Sequence, residues 1–181
     1  LFTVIPYACA AVVMLTICFL SDRYNMKGPF LIFALSMSCV GYIIILSVNS
    51  IPAKVFATCL ITSGLYPCVI LLVTWLGINT AGFTKRGTTW AMAEIFGQCF
   101  SIMGSHVFTD PPRYIKGNSI VLGFLVMGIA SSVVLIVYMN YLNKKKEAEM
   151  QEYLSRGETH PHTGRSLEEE SDYHVAFRYI L

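Results

Sequence analysis

Glu94 is the only acidic side chain well inside a long apolar run of this sequence. Together with Gln98, Ser101 and Ser105 it follows the spacing i, i+4, i+7 and i+11, which is one side of a helix. A carboxyl group in that setting has two chemistries open to it. Where such a group is buried it can carry a proton; nearer the end of its run it can instead pair with a cation such as Lys85 or Arg86. Two tyrosines add a second group. Tyr7 adjoins Pro6 and Tyr66 adjoins Pro67, and each offers an apolar ring with a polar tip. Pro67 removes a backbone hydrogen bond from its helix, kinks it, and frees a carbonyl that a ligand can meet. Tyr7, Tyr66, Pro67, Glu94, Gln98 and Ser101 are therefore the candidates for the wall of a polar cavity. His106 adds a titratable group at the end of the same run as Glu94. No P-loop, nucleophile elbow or metal-ligand cluster accompanies them, so neither an enzyme nor a cofactor is expected.

The elements that must hold these residues are set by hydropathy. Of 181 residues, 55% are hydrophobic and 13% charged, and the mean hydropathy is +0.59. That is too little charge to cover a soluble domain. The apolar residues fall into blocks over 1–20, 30–48, 56–78, 88–108 and 119–141. Each block has the length of a helix crossing a hydrocarbon core of about 30 Å, and lipid excludes open strands. The expected fold is all-α: a polytopic membrane protein of five transmembrane helices over 1–142. The remainder, 143–181, is polar. It reads as a helix extension to about residue 154 and then a largely disordered tail.

Smaller features fit this frame. Ala93, Gly97, Ser101 and Ser105 form a ladder of small residues at every fourth position, which lets another helix approach closely. Trp75 stands near the end of its block, as an interfacial anchor would. The six cysteines all lie in apolar blocks without a CxxC pair, as soft core residues do. His160 and His162 flank a proline in the tail and make no closed metal-ligand set. The first block lacks a basic flank and is followed by further spans, unlike a signal peptide. A net charge of +2 does not point to nucleic acid.

The connections give an orientation. One alternate set holds Arg23, Lys27, Lys85, Arg86 and Lys144, Lys145, Lys146; the other holds Lys54, Arg113 and Lys116. Seven cations against three put the first set, and the C-terminus, in the cytoplasm.

The first connection, "SDRYNMKGPF" at 21–30, resembles the loop signature of the major facilitator superfamily, roughly G-x-x-x-D-R-x-G-R-R/K. Asp22, Arg23 and Lys27 match it. Asn25 stands at the glycine position and, like glycine, tolerates a positive φ. Met26 and Cys18 depart from the pattern. Asp22 can cap a helix or pair with a cation there. The stretch 79–124 is similar to the fungal allantoate and nicotinate permease group of that superfamily, anion:cation symporters. Asn79, Gly82, Lys85 and Arg86 match an N-x-x-G-x-x-K-R motif, and Pro112, Tyr114 and Gly117 a P-x-Y-x-x-G motif. The ending "FRYIL" at 177–181 resembles the ending of that group. The resemblance implies that the five helices are most of the C-terminal bundle of a twelve-helix transporter. It also implies alternating access, a small organic anion or vitamin-like carboxylate as substrate, coupling to protons, and a plasma-membrane location.

The chain starts at Leu1 with no flank before its first block and reads as a fragment. Without an N-terminal bundle it is not expected to transport alone. The rival readings are a non-transporting membrane sensor or assembly protein and a defective transporter fragment.

Overall fold

The computed structural model describes residues 4–108, 114–156, 174 and 177–181. The described chain forms five helices: α1 (Val4–Tyr24), α2 (Gly28–Ser47), α3 (Ile51–Ile78), α4 (Phe83–Val107) and α5 (Ile115–Ser155). Over its described residues, each apolar block of the sequence is helical to within a residue at its end. The later helices start a few residues ahead of their blocks, because a polar residue joins a helix readily at its first turn. A proline lies in the first turn of α2 and of α3, where its fixed φ suits the helix and its missing N–H costs nothing.

Four helices are long and apolar enough to cross a membrane: α1, α2, α3 and α5. The expected fifth span, 88–108, is also a helix, but Glu94, Gln98 and its serines and threonines dilute its hydropathy. At 41 residues, α5 is about 60 Å long, roughly twice the thickness of a hydrocarbon core. Its polar end, from Lys144 onward, therefore extends past the apolar layer.

Helix α3 is the centre of the bundle. It packs along α1 and α2, and α5 packs on α2. The core consists of Ile17 from α1, Leu31 and Ala34 from α2, and Cys68, Leu71 and Trp75 from α3. The approach of α2 and α3 is closest where small residues meet. A methyl group on Gly64 would lie 2.5 Å from the Ala34 carbonyl oxygen, and one on Gly41 would lie 2.9 Å from that of Ala57. Ser38 Oγ, wholly buried between them, lies within donor distance of Ala34 O at 3.3 Å and Ile61 O at 3.4 Å. In lipid, such backbone proximity is a main source of helix association.

The small-residue ladder expected to draw a helix onto α4 has no such neighbour among the described residues. Helix α4 has no buried residue, and a methyl group on Gly97 or Gly104 would meet nothing within 4 Å. Small-residue contact is instead between α2 and α3. Helix α4 touches only α3 and α5 to any extent, and lightly.

One further expectation differs from the structure. Trp75 is 3% exposed, a core residue rather than an interfacial anchor, because its ring packs with Leu71 and Leu31. Of the tail, residues 177–181 lie on the bundle. There Asn79, Asn143 and Trp75 bond to their backbone.

Candidate functional site

The turn between α1 and α2 is built from its own side chains. Asn25 adopts the left-handed conformation, φ 52°, at the position where the family signature has glycine. The chain reverses there, with Asn25 N donating to Asp22 O at 3.2 Å and Met26 N to Ser21 O at 3.2 Å. Ser21 Oγ donates to Met26 O at 2.9 Å. Lys27 Nζ pairs with Asp22 Oδ1 inside the same turn. The lysine side chain is 4% exposed and the aspartate 71%. Asp22 is thus a cation partner here and not a helix cap. Arg23 is exposed in the last turn of α1, where the helix dipole favours a cation.

The second motif is structural in the same sense. Gly82 has φ 90° between α3 and α4, a region closed to most side chains. Arg86 folds back so that Nε and Nη2 each donate to Thr80 O at 3.3 Å. Lys85 lies exposed in the first turn of α4, its carbonyl accepting from Thr89 Oγ1 at 2.8 Å. Asn79 reaches the chain end: Nδ2 donates to Ile180 O at 3.0 Å, and Oδ1 accepts from Ile180 N at 2.8 Å. In the third motif Tyr114 has φ 48° at the start of α5, and Gly117 leaves the space that the Phe108 ring fills. Pro112, Arg113, His160 and His162 lie outside the described residues.

Two of the cavity candidates come together. The rings of Tyr7 on α1 and Tyr66 on α3 meet edge to face with centroids 6.2 Å apart. Both are exposed, at 53% and 46%, so the pair sits on an open face of the bundle. Thr62 Oγ1 lies 3.3 Å from Pro6 O and joins the same two helices beside them. Pro67 is wholly buried within a continuous α3. Glu94, Gln98, Ser101 and His106 are exposed along α4. Among the described residues, no hydrogen bond or ring contact joins them to the tyrosines.

Sequence reasoning missed one polar pocket of about 260 Å³. Asn49, Lys54, Thr58, Tyr114 and Asn118 line it, at the end of the bundle opposite the α1–α2 turn. These residues are scattered along the chain, and only the packing of the α2–α3 turn beside the start of α5 joins them. The lone Lys54 in an otherwise apolar connection was the available signal.

The chain is 32% identical over 181 residues to an uncharacterized transporter of Schizosaccharomyces pombe, covering 99% of this chain and 34% of the relative. It is 31% identical over 182 residues to the high-affinity nicotinic acid transporter of Saccharomyces cerevisiae, covering 99% of this chain and 33% of the relative. A second uncharacterized transporter of S. pombe is 32% identical over 141 residues, 78% of this chain and 29% of the relative. The chain is a multi-pass membrane protein similar to fungal transporters. It spans about a third of the length of these relatives. No family model matches the chain. No solved structure matches it either.

Proposed function

We propose that the chain is part of a major facilitator transporter that carries a small organic anion across the membrane by alternating access, with protons as the coupling ion. The observation that carries this reading is the similarity to the nicotinic acid transporter along 99% of the chain. The geometry supports it in two ways. Two of the three stretches that resemble family motifs are used as close turns at one end of the bundle, with the positive φ of Asn25 and Gly82. The Tyr7–Tyr66 pair and the polar stripe of α4 stay exposed, as surfaces that meet a second bundle or a substrate would. An aromatic pair with hydroxyl tips suits a flat carboxylate of the pyridine carboxylate kind.

In this reading the α1–α2 turn, the α3–α4 turn and the end of α5 face the cytoplasm of a plasma-membrane protein. Their clustering supports a common side: the chain end bonds to Lys27, Asn79 and Asn143 together. Glu94 carries the coupling proton on α4, where the stripe of Gln98 and Ser101 continues the polar path. A second bundle supplies the facing wall.

The test is uptake of radiolabelled nicotinate by the full-length protein, in cells without such uptake of their own. Saturable, pH-dependent uptake, competed by related carboxylates, is expected. A correctly inserted protein that moves none of a panel of small carboxylates would overturn the reading in favour of a non-transporting membrane protein.

A further inference from the structure

Helices α3 and α5 both pack on α2 but scarcely touch each other. An apolar groove of about 360 Å³ separates them, with Leu72 and Trp75 on one side and Gly128 and Leu135 on the other. At one end, the last residues of the chain bridge this gap. Trp75 Nε1 donates to Ile180 O at 2.7 Å, and Asn79 holds the same residue by both backbone groups, donating at 3.0 Å and accepting at 2.8 Å. From α5, Asn143 grips the neighbouring residue in the same two-handed way. Its Nδ2 donates to Tyr179 O at 2.8 Å, and its Oδ1 accepts from Tyr179 N at 2.9 Å.

The segment also reaches the α1–α2 turn, where Leu181 O accepts from the Lys27 backbone N–H at 2.7 Å. At its other end Lys146 Nζ donates to Phe177 O at 3.2 Å. The same ammonium lies 5.4 Å from the Phe177 ring centre and 5.1 Å from that of Tyr179, in cation–π range. The segment thus bonds to three pieces of the bundle that also pack on one another at that end, where a methyl group on Gly28 would lie 3.3 Å from the Trp75 ring and would collide with Ile136.

We propose that Phe177–Leu181 are a releasable latch that ties the ends of α3 and α5 to the α1–α2 turn. Its release loosens that end of the bundle while the helices stay folded. Two features make it releasable. The hydrogen bonds from Trp75, Asn79, Asn143, Lys146 and the Lys27 N–H all run to or from its backbone, and water can replace each of them. The segment itself is half-buried or exposed rather than enclosed. The helices keep their own backbone hydrogen bonds and the α2–α3 contact without it. The tie matters because the turn it holds contains the buried Lys27 and its partner Asp22.

Amide hydrogen exchange of the full-length protein in lipid nanodiscs tests the latch. Two variants attack it from opposite sides: the double variant Asn79→Ala with Asn143→Ala on the bundle, and Ile180→Pro on the segment, which removes the N–H that Asn79 accepts. In both, exchange in 25–27 and 76–80 is expected to rise roughly tenfold or more, with the middle of α2 and α3 unchanged. Unchanged exchange in the turn would overturn the proposal, because the segment then holds nothing. A uniform rise along α2 and α3, or failure of both variants to fold, would overturn it too, because the segment is then an integral part of the core. The readout is exchange and not uptake, so its failure leaves the transport reading untouched.

Discussion

Gly64 of α3 presses its bare backbone against Ser38 of α2. Any β-carbon on Gly64 would collide with Ser38 Oγ, and would lie 2.5 Å from the Ala34 carbonyl oxygen and 3.0 Å from Ser38 N. Two of those three atoms are backbone, which no rotamer change can move. The contact joins α2 closely to α3, while α1 packs on α3 and α5 on α2.

Gly64→Ala is accordingly expected to force the two helices apart and destabilise the protein by about 1–3 kcal/mol, the usual range for overpacking. Gly97→Ala on α4 meets open space and is expected to change stability by less than about 0.5 kcal/mol. Thermal unfolding of the full-length protein in detergent compares the two. Equal losses would mean that α4 is covered in the intact protein by a helix outside the described residues.

The ion pair of the α1–α2 turn gives a second asymmetry. Lys27 is buried and Asp22 is not, so the two positions respond differently to truncation. Asp22→Ala leaves a buried ammonium without its partner, which costs about 1–3 kcal/mol. Lys27→Met removes the charge that needed pairing and keeps the buried stem, so the loss is expected to be smaller. Both values come from the same unfolding experiment, and the reverse order would deny the pair a structural role.

What could be read from the sequence was local. The apolar blocks predicted every helix, because hydropathy over about 20 residues needs no tertiary information. Asn25 was legible as a positive-φ residue because it stands at a glycine position and few other side chains tolerate that conformation. What could not be read depended on which face meets which. The small-residue ladder of α4 has the period of a helix interface, yet period does not name a partner, and the close contact formed between α2 and α3. Trp75 and Asn79 gave no sign that they would bind a segment about a hundred residues away. The pairing of Tyr7 with Tyr66 is of the same kind: each was a candidate by chemistry, and only folding of α1 against α3 joins them.

That pair separates ring from hydroxyl. Tyr66→Phe keeps the edge-to-face contact with Tyr7, so stability is expected to hold within about 0.5 kcal/mol. If the hydroxyl meets the substrate, KM for uptake rises roughly fivefold, the worth of one hydrogen bond, while the maximal rate changes little. Tyr66→Ala loses the ring as well and is expected to lower both. Uptake kinetics of Tyr66→Phe equal to wild type would remove the hydroxyl from the site.

Glu94 is the remaining test of proton coupling. It is exposed on α4, with no ion pair among the described residues, so its carboxylate has no structural task in this part of the molecule. Glu94→Gln keeps shape and polarity but cannot carry a proton. In the full-length protein, insertion and thermal stability are therefore expected to stay near wild type. Uptake driven by an inward proton gradient is expected to fall about tenfold or more, while exchange of labelled for unlabelled substrate, which needs no net proton movement, persists. Measuring the two modes side by side in the same vesicles distinguishes a coupling residue from a binding residue. A loss of both modes assigns Glu94 to substrate binding, and an unchanged proton-driven rate frees α4 from any part in coupling.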